Sequence, residues 1–305
     1  MIPITEQINP KSDEIDTRST IEICKIMNSE DALVPAAVNK AIPLIAPLID
    51  EVVTAFKKKG RLVYIGAGTS GRMGVLDASE CPPTFGVPDT MVLGVIAGGD
   101  RALRNAIERA EDNADSGVED LKNIDLKPID VVIGLTASGQ APYVIGALEY
   151  AQSIGSKTGS IACNYDAKVF SVSDYGIFVD VGPEIVTGST RLKSGTAEKL
   201  ILNMITTTAM IKMGFVYNNY MVNLKPTNSK LELRGKRLIK KIVGCSEDRC
   251  EELWNLSGKN IPVAVLIAEF GVSSKKAEQI LSQAGNNLHL ALNMCKSMNM
   301  RDSEI

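Results

Sequence analysis

The sequence predicts an α/β fold in which a parallel β-sheet lies between helices, followed by a small helical module. Between residues 61 and 181, short apolar runs alternate with helical segments, an order typical of a parallel sheet with helices on both faces. Several runs lack the polar alternation of a half-exposed strand, which suits strands buried on both faces. Near the C-terminus, two similar segments combine helical periodicity with a Gly-containing turn, which indicates a separate helical region.

The composition is that of an ordinary globular protein. The 305 residues are 45% hydrophobic and 23% charged, and at about 150 residues per domain the length suggests roughly two domains. Lys and Arg number 33 against 36 Asp and Glu, so the net charge of −3 weighs against nucleic acid as the main partner. The single histidine, His289, excludes His-based triads and His-rich metal sites, and we expect no metal.

Cysteine usage and the apolar stretches predict a soluble, cytoplasmic protein. The six cysteines are scattered and form no C-x-x-C pair, as is common for reduced thiols. The N-terminus is polar and acidic and lacks the pattern of a signal peptide. Charged residues and a proline interrupt the longest apolar stretches, 42–56 and 261–270, which fall short of the ~20 residues of a membrane span.

Periodicity assigns the elements in chain order. Residues 1–20 are polar and predict an extended arm, and helical spacing then runs from residue 20 to 59, with a second helical stretch at 36–58. Apolar runs predict five strands, at 61–66, 91–96, 130–136, 158–164 and 176–181. Helices are predicted at 71–79, 101–117 and 141–154, and a long helix at 195–213.

The C-terminal region contains an internal duplication. Residues 245–265 align with residues 272–292 at a shift of 27, and each copy predicts a capped helix, a Gly turn and a second helix. We therefore expect three regions. They are an N-terminal arm with helices packing on the core (1–55), an α/β ligand-binding domain (56–235) and a small helical domain (236–305).

A glycine-rich loop follows the first predicted strand. Residues 66–71 match G-x-G-x-x-G and open a helix, an arrangement that cradles phosphate. A dinucleotide site would need an acidic residue at the end of the second strand, whereas Asp89 precedes that strand. We favour a monophosphate site that uses the hydroxyls of Thr69 and Ser70 with the backbone of Gly68 and Gly71; the alternative is a turn without a ligand.

Two further loops carry hydroxyls. Thr136, Ser138, Gly139 and Gln140 follow the third predicted strand, and ligands of open parallel sheets bind outside the carboxyl ends of strands. Two such loops can converge on one phosphate, although Ser138 is also a favourable N-cap. The third loop, residues 187–196, places Ser189 and Lys193 before the long helix; it suits either an anion or solvated cations beside a capped helix.

Two glutamates are candidates for acid–base chemistry. The helix before Pro82 and Pro83 is expected to stop near Glu80, because proline cannot continue it. A carboxyl at a helix C-terminus retains its proton longer, as a general acid requires, although an exposed Glu is the simpler interpretation. Glu111 lies on the predicted helix at 101–117, where the local sequence indicates only a solvated charged face.

Assembled, these segments resemble one family over residues 5 to about 295. The motifs YIGAGTSGRMGVLDASECPPTFGVP, AEDN and GPEIVTGSTRLKSGTAEKLILNM are similar to those of N-acetylmuramic acid 6-phosphate etherases. The resemblance implies a sugar isomerase (SIS) fold, a three-layer α/β/α sandwich with a five-stranded parallel sheet, usually dimeric, and a small C-terminal helical module. It assigns acid–base roles to Glu80 and Glu111. The family's second loop usually reads ASGRTPYV, whereas Gln140 and Ala141 here replace a cation and a hydroxyl.

The chemistry that the resemblance implies needs no cofactor. In the open-chain sugar phosphate, a base removes the C2 proton, the lactyl ether oxygen leaves C3 with a proton from an acid, and water adds to C3. The products are N-acetylglucosamine 6-phosphate and D-lactate. Two alternatives remain at this point: an aldose–ketose isomerase on the same fold, and a non-catalytic regulator that senses sugar phosphates.

Overall fold

The chain forms two compact units. A computed structural model describes residues 2–224, 226 and 228–302. The sheet unit comprises Met1–Glu80 with Asp89–Thr207, and the helical unit comprises Cys81–Pro88 with Thr208–Ile305. The three-region division with boundaries near residues 55 and 235 stays a prediction.

The sheet unit is built on five parallel strands, which confirms the predicted fold class. The strands lie in the order β2-β1-β3-β4-β5. Gly66 at the end of one strand pairs with Ile96 and with Leu135, so the three strands end at the same level. The strands are β1 (Leu62–Gly66), β2 (Val92–Ile96), β3 (Val131–Leu135), β4 (Lys157–Ala162) and β5 (Tyr175–Phe178).

Helices cover both faces of this sheet and give three layers. Val63 and Ile65 pack with Tyr143 and Val144 on one face. On the opposite face, a Cβ at Gly159 of β4 would lie 2.6 Å from a methyl of Leu48, because helix and strand approach closely there. The helices are α1 (Thr20–Asp31), α2 (Val34–Lys57), α3 (Gly68–Phe85), α4 (Arg101–Arg104), α5 (Ala114–Asn123), α6 (Pro142–Ser153) and α7 (Lys193–Lys212).

Helix α2 explains the longest apolar stretch of the sequence. By length and composition alone, Thr20–Lys57 could cross a membrane. In the structure this stretch is two helices, and α2 buries Val38, Ile45 and Val52 completely or almost completely within the sheet unit. The core helix of a folded domain has the same composition as a membrane span, so the stretch is explained by packing.

The expected end of α3 near Glu80 was wrong, because the helix continues through Pro82 and Pro83 to Phe85. A proline removes one backbone donor and disfavours a helical residue before it, but near a helix end few bonds are lost. The Gly86 N–H donates to the Pro82 carbonyl at 2.9 Å and closes the last turn.

The single helix expected at 101–117 was also wrong. Helix α4 ends at Arg104, where Asn105 is extended, and a 3-10 turn at Ala110–Asp112 follows. Arg109 has φ of 59°, in the left-handed region, which interrupts helical backbone. Helix α5 then starts anew with Asn113 as its N-cap.

The helical unit confirms the predicted duplication. Ser246 and Ser273 cap the first helix of each copy, and Asn260 and Asn287 accept from backbone amides at the start of the second. The unit's elements are β6 (Val216–Tyr217), β7 (Tyr220–Met221), α8 (Ser229–Val243), α9 (Glu247–Leu256), α10 (Ile261–Phe270), α11 (Ser274–Gln283) and α12 (Leu288–Asp302).

Candidate active site

The candidate site lies where the chain reverses direction across the sheet. From β1 the chain passes to β2 on one side and then to β3 on the other, so the loops after β1 and β3 diverge. This topological switch point is where open parallel sheets bind ligands. A cavity of about 280 Å³ opens there, lined by both loops and by parts of the N-terminal arm and of the loop before α7.

The first loop forms one wall of the cavity. Thr69 and Ser70 line it at the N-terminus of α3, where first-turn amides have no partners within the helix. Gly68, with φ of 52°, lines it as well. Gly71 does not: a Cβ there would lie 2.7 Å from the Gly66 carbonyl oxygen, so this glycine lets α3 pack against β1.

The second loop forms the facing wall. Thr136 and Ser138 line the cavity, and their hydroxyl oxygens lie 3.3 Å apart. Gly139, with φ of 73°, donates its N–H to Thr136 Oγ1 at 3.2 Å and so shapes the turn. Gln140 is exposed and is absent from the lining, and its Nε2 donates to the Asp166 carbonyl at 3.4 Å. Four hydroxyl-bearing residues from two loops therefore line one cavity, an arrangement that suits phosphate binding.

The N-terminal arm adds a carboxylate that sequence reasoning did not single out. Asn164 donates to Thr5 Oγ1 at 3.1 Å and to the Ser138 carbonyl at 2.9 Å, which ties the arm to the second loop. The adjacent Glu6 consequently lines the cavity. Glu6 belongs to the arm at residues 1–20, for which the sequence predicted no functional residue.

Glu111 stands between two cavities. It lies in the 3-10 turn at Ala110–Asp112 and lines the first cavity together with a second one of about 230 Å³. The second cavity also has Arg72 and Arg109 in its lining. Glu111 thus lies beside the hydroxyl-lined cavity on one side and beside two cations on the other.

Glu80 lies apart from both cavities. It is exposed on α3, ten residues after Ser70, which corresponds to about 15 Å along the helix axis. Since α3 ends at Phe85, Glu80 is also not the terminal residue of its helix. The dipole argument for a retained proton therefore loses its structural basis.

Lys193 and Ser189 do not line the cavity, although their neighbours Gly188 and Thr190 do. Lys193 is buried, and its Nζ lies 2.7 Å from Glu30 Oε2. Burial raises the pKa of Glu30, but hydrogen bonds from Lys11, Lys193 and Asn9 outweigh it and lower the pKa to about 2. Lys193 is therefore engaged in an internal ion pair.

Comparison with known proteins agrees with this architecture. The N-terminal SIS domain of glucokinase regulatory protein is the family pattern that matches residues 44–152. A phosphoheptose isomerase from Francisella tularensis superposes with a TM-score of 0.50 at 14% identity, covering 64% of this chain and 100% of that one. At this identity the likeness shows a shared fold.

Sequence relatives are much closer. An N-acetylmuramic acid 6-phosphate etherase of Caldanaerobacter subterraneus subsp. tengcongensis is 50% identical over 291 residues, covering 95% of each chain. The etherase of Brucella anthropi is 48% identical over 294 residues, covering 96% of each chain. With this identity sustained across both units, the chain belongs to the N-acetylmuramic acid 6-phosphate etherase family.

Proposed function

We propose that this protein is an N-acetylmuramic acid 6-phosphate etherase, a carbon–oxygen lyase that produces N-acetylglucosamine 6-phosphate and D-lactate. The observation that carries the proposal is the cavity at the switch point. There, four hydroxyl-bearing residues from two loops line one space, and Glu111 lines it as well. This arrangement supports recognition of a phosphate next to a group that can move a proton.

The phosphate binds between the two loops. Thr69, Ser70, Thr136 and Ser138 donate hydroxyl hydrogens, and the N-terminus of α3 contributes amide dipoles. No Lys or Arg of the described residues lines this cavity. The phosphate is distant from the reacting carbons, so these contacts hold C2 and C3 in position.

The lactyl end of the substrate extends into the second cavity. Its carboxylate needs a cationic environment, and Arg72 and Arg109 are in the lining there. Glu111 borders both cavities, and this supports a position near the carbons between the two anionic ends. It acts on the C2 proton, and elimination of the lactyl oxygen from C3 follows.

The second acid–base group is Glu80 of another copy of the chain. Glu80 is exposed and lies about 15 Å along α3 from Ser70, so it does not reach the cavity of its own chain. A homodimer in which α3 of one copy faces the cavity of the other supplies the missing acid. The enzyme works in the cytoplasm, where its free cysteines stay reduced.

The decisive test is D-lactate release from N-acetylmuramic acid 6-phosphate, followed with substrate NMR in D₂O. Glu111→Gln should impair both exchange of the C2 proton with solvent and lactate release. Glu80→Gln should reduce the rate of lactate release about 10²–10⁴-fold. Isomerisation without lactate release would identify an aldose–ketose isomerase, and binding without turnover a sugar-phosphate sensor.

A mixing experiment tests the shared site. Glu80→Gln and Glu111→Gln chains, each inactive alone, are denatured, mixed in equal amounts and refolded. Half of the resulting dimers are mixed and hold one intact site, so about a quarter of wild-type activity should return. No recovery from correctly assembled mixed dimers would contradict a shared site.

Loss of activity in Glu6→Gln with a fully active Glu80→Gln would assign the acid to Glu6.

A further inference from the structure

Helix α7 packs beside α3, next to the first loop of the cavity, which carries Thr69 and Ser70. A Cβ at Gly195 would lie 3.3 Å from Thr69 Cγ2. Further along, Asn203 Nδ2 and Thr206 Oγ1 donate to Asp77 of α3 at 2.7 and 3.2 Å. Between these contacts stands Glu198, a carboxyl that the mechanism above does not use.

Glu198 is a buried carboxyl without ordinary partners. Only 1% of the residue is exposed, and within the described part of the chain neither carboxyl oxygen has a hydrogen-bond partner of normal geometry. The polar side chain that acts on it is the hydroxyl of Ser70, which lines the cavity. A buried, unpaired carboxylate is costly, so this position favours the neutral acid.

The other titratable groups around Glu198 do not neutralise it. At the end of β4, Cys163 has a pKa raised by burial and also by the charges of Glu198, Glu184 and Asp180. Lys193, on the same helix, is paired with Glu30. Burial raises the pKa of Glu198 to about 7, the neighbouring Ser70 hydroxyl opposes this rise, and no cation of the described residues contributes.

We infer that Glu198 holds the proton that frees the Ser70 hydroxyl to donate to the substrate phosphate, so that sugar-phosphate binding is coupled to protonation of this carboxyl. A neutral Glu198 donates to Ser70 Oγ, and the Ser70 O–H then points to the phosphate. An ionised Glu198 accepts that O–H instead, which leaves only lone pairs facing the phosphate. Glu198 is a positioning residue, and the inference rests on the proposed sugar-phosphate site.

The coupling has a definite sign. The phosphate is an anion, and it favours the neutral form of the carboxyl behind Ser70, so binding raises the pKa of Glu198 further. Above about pH 7 the free protein must take up one proton to bind. The dissociation constant should therefore be flat below that pH and rise by about tenfold per pH unit above it.

Calorimetric titration measures this proton directly. N-acetylglucosamine 6-phosphate, the proposed product, is titrated between pH 6 and 9 in buffers of different ionisation enthalpy. N-acetylglucosamine 6-sulfate, whose sulfate does not titrate in this range, separates protonation of the protein from that of the ligand. Wild type should take up close to one proton per ligand at pH 8, with both ligands.

Variants assign the proton to Glu198. Glu198→Gln resembles the neutral acid, and it should bind at pH 8 as tightly as at pH 6, with no proton uptake. Glu149→Gln, which removes an exposed carboxyl of α6, should behave as wild type. Thermal unfolding confirms that each variant is folded.

The outcomes separate this inference from the proposed function. Binding by wild type without proton uptake, or unchanged uptake in folded Glu198→Gln, would overturn the role of Glu198 and leave the sugar-phosphate site intact. Failure of wild type to bind either ligand at any pH would overturn the proposed function and this inference with it.

Discussion

The N-termini of α3 and α7 lie side by side, and glycine and hydroxyl residues occur at or just before the start of both helices. At α3, Thr69 and Ser70 face an open cavity. At α7, the backbone amides of Lys193 and Ser194 donate to the carboxylate of Glu184 at 3.0 and 2.9 Å, and Ser194 Oγ adds a third bond at 2.9 Å. The anion at the N-terminus of α7 is therefore a side chain of the protein itself, the carboxylate of Glu184.

The difference shows that the presence of donors does not by itself make a ligand site. A helix N-terminus attracts any negative charge, and Glu184, which is fully buried, provides that charge at α7. Of these two helices, α3 is the one whose first turn lines an open cavity. Changes to the Glu184 contacts at the first turn of α7 should therefore affect folding, and changes at the first turn of α3 should affect binding.

The largest effect is expected for Lys193→Met. It removes the cation from a buried ion pair and should lower the free energy of unfolding by about 3–5 kcal/mol. The matched control is Lys11→Met, because Lys11 is a half-exposed partner of the same Glu30 carboxyl, and the expected loss is about 0–1 kcal/mol. Denaturant unfolding measures both. A stable Lys193→Met protein with weakened substrate binding would instead place Lys193 in the site.

The next largest effect is expected from acid, which should weaken the ion pairs of Glu30 with Lys193 and Lys11. The folded pKa of Glu30 is about 2, below the ordinary value of 4.5. The contribution of ionised Glu30 to the stability of the fold is therefore complete above about pH 4.5 and disappears as the pH falls toward 2. The melting temperature measured from pH 6 to pH 3 should fall less steeply in Glu30→Gln. Parallel curves for the two proteins would show that Glu30 does not titrate in this way.

Smaller free-energy changes are expected at the two loops that line the cavity. Ser70→Ala and Ser138→Ala each remove one hydroxyl donor to a charged phosphate, worth about 1.5–3 kcal/mol of binding. KM for N-acetylmuramic acid 6-phosphate should rise, while the melting temperature changes far less than in Lys193→Met. An unchanged KM in both variants would remove these hydroxyls from the phosphate site.

The smallest effect is expected at residues 140 and 141, where the sequence differs from the loop that the family resemblance implies. Ala141 lines the cavity and Gln140 is exposed beside it. The double change Gln140→Arg with Ala141→Thr adds a cation and a hydroxyl, and it should lower KM severalfold through charge-assisted hydrogen bonds. Gln140→Arg alone separates the two contributions. A higher KM would mean that these positions do not point toward the phosphate.

The local sequence pattern was sufficient to predict the strands and the two hydroxyl-bearing loops. Buried strands need continuous apolar runs, and strand ends in a parallel sheet converge, so the proximity of Thr69 and Ser138 followed from order along the chain. The helix breaks were harder to predict. The left-handed backbone at Arg109 and the continuation of α3 through Pro82 depend on tertiary packing that outweighs local preference.

Partners distant in the sequence could not be predicted. Lys193 is paired with Glu30, 163 residues away, and only the folded chain reveals that this cation is not free for a ligand. The same holds for Glu198 beside Ser70 and for Glu6, which reaches the cavity because Thr5 binds Asn164. Charged residues in a sequence motif indicate chemistry, but their pairing decides which of them are available.

The composition of the cavity that is proposed to hold the phosphate has a consequence for turnover. Its lining within the described residues offers hydroxyls and a helix end but no Lys or Arg side chain. In the proposed reaction the phosphate is the same before and after lactate leaves, so this contact stabilises substrate and product equally. A cationic clamp here would slow the escape of N-acetylglucosamine 6-phosphate, whereas neutral donors hold the sugar long enough to react and still let it go.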